Sequence, residues 1–189
     1  MTYGELVAAI IAFCPDAAIE QTIPTFIRLA EADMNRLVRA PEMVRRASAT
    51  LNGGADYLPT PEDFAAIRTI DAADQPVERR DVDVLTTLRA TATVPGRPMF
   101  FSVAGRELQF APAADADYEL DLTYFERLPA LTEAAPNNWL CDTFPDAYLY
   151  GALTHAGQFL GDGMRGAAWA AAFQNAIAAI NSDAKGQGV

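Results

Sequence analysis

Few residues in this chain have the types and spacing that chemistry requires. His155 is the only histidine. A general base must lie within reach of a nucleophile or an orienting carboxylate, and along its own segment only Thr154 stands beside it. It falls on the apolar side of a helical pattern and reads as a packing residue. Cys14 and Cys141 have neither a CxxC partner nor an adjacent ligand pattern, so they read as reduced, buried thiols. Asp115, Asp117 and Asp121 gather carboxylates but lack the glycine and distal glutamate of a calcium loop. Gly161-Asp162-Gly163 follows a helix, whereas a phosphate cradle follows a strand, so it reads as a helix stop. Arg45-Arg46 and Arg79-Arg80 are the only paired basic residues, and edge-strand protection or pairing to an acid suits them better than phosphate. Trp139 and Trp169 read as core anchors. The residues predict no enzyme, no metal site and no cofactor.

The elements that position these residues are more legible. Residues 136–161 lead from a polar turn at Asn137-Asn138 through Trp139 and Leu140 to a helix opened by Pro145. Proline suits a first turn because its missing N–H has no partner there, and Gly161 suits a left-handed stop. Leu149, Leu153, Ala156 and Leu160 form one apolar line, and Tyr148, Ala152, His155 and Phe159 form a second beside it. A face this broad predicts a helix packed on several neighbours. Met164, Trp169, Phe173, Ile177 and Ile180 predict its hairpin partner over about 164–181.

The opening 40 residues are also helical in pattern. Thr2 and Glu5 have capping-box spacing, and Leu6, Ile10 and Phe13 form an apolar side. A second helix, with Pro24 near its start, carries Ile23, Phe26, Ile27, Ala30, Met34, Leu37 and Val38 on a stripe. Arg28, Glu31, Asn35 and Arg39 lie off it. Between these helical regions, Val, Thr, Tyr and Phe rise and turn signals recur about every ten residues. Strands are predicted at 43–51, 65–70, 76–79, 99–104, 107–111 and 117–126, with a short helix over 81–88. The fold class is therefore α+β, a helical bundle of N- and C-terminal helices with an inserted small antiparallel β lobe. The expected divisions are 1–41 and 131–182 for the bundle, 42–130 for the lobe, and 183–189 as a flexible tail. Phe26, Ile27, Met34, Leu37, Leu149, Leu153, Trp169, Phe173 and Ile177 are the expected shared core.

Bulk composition narrows the classes. At 189 residues, with 51% hydrophobic and 21% charged residues, the chain can bury a real core and is not of disordered composition. No apolar run approaches the ~20 residues of a membrane span, and no basic stretch precedes Leu6–Phe13, so neither a membrane nor a signal peptide is expected. With 25 acidic against 14 basic residues the net charge is −11. That argues against gripping phosphates over the whole surface, though not against letting nucleic acid slide past.

Several segments, in order, resemble the adaptor (head-to-tail connector) proteins of tailed bacteriophages. They are 23–31 (IPTFIRLAE) with 34–37 (MNRL), 57–59 (YLP) with Asp63-Phe64, 96–98 (GRP), 108–112 (LQFAP), 122–124 (LTY), and 138–140 (NWL) with 145–153 (PDAYLYGAL). The acidic, alanine-rich 113–117 loop and the short C-terminal tail depart from the pattern. The resemblance implies a structural protein, found in the virion neck and in the host cytoplasm during assembly. Its implied partners are the portal protein, further neck or tail proteins, copies of itself in a ring, usually dodecameric, and viral DNA passing without sequence-specific binding. Arg39, Arg45, Arg46 and Lys185 are the candidate portal or DNA-channel contacts. Another neck component, such as a head-completion or tail-terminator protein, and a cytoplasmic binding module are the alternatives.

Overall fold

The computed structural model describes residues 1–186 apart from Thr93; the side chain of Lys185 and residues 187–189 lie outside the described residues. The chain forms two compact units, 1–43 with 127–189, and 44–126.

The first unit is a helical bundle. Its helices are α1 (Tyr3–Phe13), α2 (Ala17–Glu20), α3 (Ile23–Leu37), α5 (Trp139–Thr143), α6 (Pro145–Leu160) and α7 (Gly163–Gly186), with a 3-10 turn at Pro41–Met43. The label α4 belongs to Val82–Thr91 in the other unit. The Thr2–Glu5 capping box opens α1, Pro145 sits in the first turn of α6, and Gly161 ends α6 in the left-handed region at φ 69°. Helix α6 is the centre, contacted by α1, α3, α5 and α7. Its buried side is Ala147, Tyr148, Gly151, Ala152, Leu153, Ala156 and Gly157. Small residues there let helices approach closely. A Cβ on Gly151 would stand 2.9 Å from Ala30 Cβ, and one on Gly157 2.9 Å from the Gly166 backbone. Glycine at these crossings is a packing requirement that outweighs its low helix propensity.

The expected core holds for Phe26, Ile27, Met34, Leu153, Phe173 and Ile177, all buried. Leu149 and Trp169 are half-buried, and Leu37 is 41% exposed. At the end of α3 the backbone turns extended at Val38, and of the two residues the stripe ended on, Val38 packs inward and Leu37 does not. The same pattern occurs in α1, where Phe13 is half-exposed and Cys14, just past the last turn, is buried. Helix α7 runs on to Gly186, so 183–186, expected in a flexible tail, are helical. Ile180 and Ala184, one turn apart, are both buried and anchor that last stretch.

The second unit holds β1 (Val44–Leu51), β2 (Tyr57–Pro59), β3 (Phe64–Ala72), β4 (Gln75–Pro76), β5 (Glu78–Arg79), α4, β6 (Phe100–Ala104), β7 (Glu107–Ala111) and β8 (Tyr118–Glu126). They form two four-stranded sheets, ordered β1-β8-β3-β4 and β2-β7-β6-β5. One core is shared by both, built from alternate residues such as Leu51, Ile70, Phe101, Leu108, Phe110, Leu120 and Leu122. The expected all-antiparallel lobe needs one correction. Strands β5 and β6 pair in parallel, because α4 crosses over between them and returns the chain in the same direction.

Candidate functional site

Several of the residues with chemical potential make contacts that hold neighbouring parts of the fold. His155 Nε2 lies 3.0 Å from Asp33 Oδ2, and Arg36 also pairs with Asp33. The half-buried imidazole therefore ties α6 to α3. Burial pushes the Cys141 thiol up to about 11, so it stays protonated and unreactive. Asp117 accepts the Gly53 N–H at 2.8 Å and Asp115 accepts the Tyr118 hydroxyl at 2.8 Å, so both brace loops. Asp162 accepts the Arg165 N–H and pairs with its guanidinium, opening α7 just after the Gly161 stop. Arg80 pairs with Glu78 and lies 5.0 Å over the Phe100 ring. Among the described residues no group of three or more His, Cys, Asp or Glu side chains could hold a metal ion, and no helix is long and apolar enough to cross a membrane.

The densest polar chemistry is structural. Glu31 is buried, not off the stripe as periodicity placed it. Its Oε1 accepts the Leu131 N–H at 2.6 Å and the Tyr148 hydroxyl at 3.1 Å. Asn138 donates through Nδ2 to the Tyr148 oxygen at 2.6 Å and to the Pro129 carbonyl at 2.8 Å, while its Oδ1 accepts the Cys141 N–H at 2.8 Å. One turn further along α3, Asn35 Oδ1 accepts the Leu128 N–H at 2.7 Å. These side chains pin residues 127–138, which carry no regular structure for most of their length, onto α3 and α6. The cluster includes Glu31, Asn138 and Tyr148 from the segments that carry the adaptor resemblance, so those residues hold the fold together.

Burial pushes the Glu31 carboxyl up, against the opposing pull of the Leu131 N–H and the Tyr148 hydroxyl. The folded chain then binds this proton more tightly than the unfolded chain. The corresponding stability is fully present below the unfolded value of about 4.3 and is lost as pH rises through the folded value. Glu31→Gln should remove that dependence. Urea unfolding from pH 4 upward is expected to show wild-type stability falling relative to the variant as pH rises.

The four expected contact residues are differently placed. Arg39 belongs to the helical unit: its N–H donates to Asn181 Oδ1 at 3.0 Å and its guanidinium to the Asn35 carbonyl at 3.0 Å. Arg45 makes a two-pronged ion pair with Glu126, at 2.8 and 2.6 Å. Arg46 is exposed on the outer face of its sheet and makes no ion pair among the described residues. It lines a shallow polar groove with Ser48, Asp71, Asp121 and Thr123. The Lys185 side chain lies outside the described residues.

One surface of the helical unit went unnoticed in the sequence, and a second corrects it, because Phe159 and Met164 were expected on packed faces. Residues 166–182 of α7 contain no charged side chain, and Ala167, Ala168, Ala171, Ala178 and Ala179 are exposed along it. Phe159 and Met164, at the end of α6 and the start of α7, are 56% and 87% exposed. A chain with net charge −11 that keeps 17 consecutive helical residues uncharged has a surface suited to covering rather than to solvation. The signal was available as a gap in the charge pattern.

Compared with known families, residues 1–188 match the profile described as SU10 adaptor protein. The chain belongs to that family. It is a phage head–tail adaptor family, so the likeness noted in the separate segments extends over essentially the whole chain. A search of curated proteins finds no match. The bracing roles of His155, Asp115, Asp117 and Asp162 fit a structural part, in which side chains hold surfaces in place.

Proposed function

We propose that this chain is a structural component of the virion neck that docks on the portal protein, assembles there as a ring of copies, and offers the far side of the ring to the next neck or tail protein. Family membership supports the neck role. The observation that carries self-association is the uncharged outer face of α7. Copies of an acidic chain repel one another over most of their surface, and 166–182 is where two can approach without bringing like charges together. The same repulsion keeps the free subunit monomeric until a portal template holds the copies in place. Phe159 and Met164 extend the uncovered apolar surface at the start of the same helix.

Carboxylates placed at those exposed alanines test the idea directly. Ala171→Glu with Ala178→Glu should leave the circular dichroism and melting temperature of the subunit nearly unchanged, because neither position is in the core. Incorporation into portal-bound rings should be lost. Normal assembly of the double variant would exclude α7 as the contact between copies.

As a conduit, the ring passes DNA without holding it. An excess of 11 acidic over basic charges per subunit, with no basic helical stripe, repels phosphate wherever it faces the lumen. Purified protein is expected to show no measurable sequence-specific binding to duplex DNA at physiological salt, read by fluorescence anisotropy. A tight complex that survives raised salt would contradict the passive conduit. Of the four expected contacts, Arg46 is the arginine open to a partner, whereas Arg45 is engaged by Glu126.

A further inference from the structure

Strand β1 is the unblocked edge of the β unit. It has eight residues, pairs only with β8, and keeps an unbroken register from Val44↔Phe125 to Leu51↔Tyr118. Beyond that ladder, residues 44–51 make no backbone hydrogen bond among the described residues. The other edges are short or irregular: β4 and β5 have two residues each, β2 has three, and the part of β3 that β4 leaves uncovered is broken by register shifts between Phe64 and Ala66 and between Ile67 and Thr69. Of the usual protections of an edge, β1 has no proline, no bulge and no brevity, and its only charges are Arg45 and Arg46. Arg45 does not guard the edge, because its guanidinium folds back onto Glu126 of β8.

Charge specifies the occupant further. β1 carries Arg45 and Arg46 and no carboxylate, while β8, the strand it accepts on its inner side, carries Glu119, Asp121 and Glu126 and no cation. Arg46 is exposed on the outer face, in line with Ser48 and Thr50, and makes no ion pair among the described residues. On the opposite face Ala47 and Ala49 are half-buried against the core.

We propose that β1 accepts an extended, acidic segment of another neck protein as an added strand. Its backbone would complete the eight-residue ladder. A carboxylate would stand by Arg46, and small apolar residues would meet Ala47 and Ala49 at alternate positions. A second copy of this chain fits poorly. Its other edges are short or, in β3, broken by register shifts, and pairing β1 with β1 would bring four arginines together in a two-fold contact that closes at a dimer and cannot propagate around a ring. The inference rests on the adaptor reading only for where the partner is sought.

Two measurements test it, one independent of the particle. In solution the probe is a synthetic peptide of residues 118–126, the acidic strand that β1 already accepts. It should slow amide hydrogen exchange of 44–51 in the wild-type protein. Arg46→Glu should weaken that effect by about fivefold, the loss of one good cross-strand charge pair, and Arg46→Lys should retain it. No slowing at millimolar peptide would overturn strand addition, whatever the protein's place in the virion. In purified particles, a photoreactive benzoylphenylalanine at the exposed Thr50 should cross-link to an acidic extended segment of a different protein. Cross-links confined to a second copy, or exchange of 44–51 as fast in the wild-type particle as in the free subunit, would overturn the proposal.

Discussion

Leu153→Ala is expected to lower the unfolding free energy by about 2–5 kcal/mol, the range for a buried leucine truncated in a packed core. Leu153 is fully buried on α6, the helix that α1, α3, α5 and α7 all contact. The upper part of the range applies if the cavity cannot collapse. The close crossings at Gly151 and Gly157 favour that outcome, because neighbouring backbones and rings already touch α6 there and cannot move further in. Urea unfolding followed by far-ultraviolet circular dichroism reads the effect. Phe159→Ala is the internal control. It removes a larger side chain that is 56% exposed and meets the Phe26 ring in a tilted contact, centroids 5.7 Å apart, so its cost should be clearly smaller. Equal losses at the two positions would mean that Leu153 is not in the packed core where the structure places it.

Asn138→Ala should cost about 2–4 kcal/mol although it removes only a few atoms. The side chain is the N-cap of α5, worth about 0.5–2 kcal/mol. It also serves the Pro129 carbonyl and the Tyr148 oxygen, and a buried polar group left without its partner costs about 1–3 kcal/mol. The two contributions belong to one network and need not add in full. A double-mutant cycle with Tyr148→Phe separates them. Coupling near zero would show that the Asn138–Tyr148–Glu31 chain is not a unit.

How much of this was legible in the sequence depends on where each residue's partner lies. Helix α6 was readable end to end, because Pro145, Gly161 and the apolar lines are local signals. The strand at 117–126 was equally plain, because its alternation is local: Leu120, Leu122 and Tyr124 turn inward. Glu31 was misplaced because its burial depends on the Leu131 N–H and the Tyr148 hydroxyl, 100 and 117 residues away. Helical periodicity carries no trace of such partners. Arg45 and His155 find their carboxylates 81 and 122 residues away for the same reason. Phe13 and Leu37 failed differently. Periodicity extends a stripe to the last residue of a helix, but the backbone leaves helical geometry there and the next residue packs inward instead. The short elements α2, α5 and β2 are too brief to show a period. That β1 is a free edge follows from strand order, which alternation along a single strand cannot give.

The central claim is templated assembly on the portal. The direct measurement is the mass, by light scattering and negative-stain electron microscopy, of purified protein alone and after mixing with portal rings from the same phage. The protein alone is expected at a monomeric mass of about 20.3 kDa. With portal present a discrete ring of copies should cap the portal, and be lost in the Ala171→Glu, Ala178→Glu variant. A stable closed ring without portal would contradict templating, and the absence of any complex with portal would contradict the account as a whole.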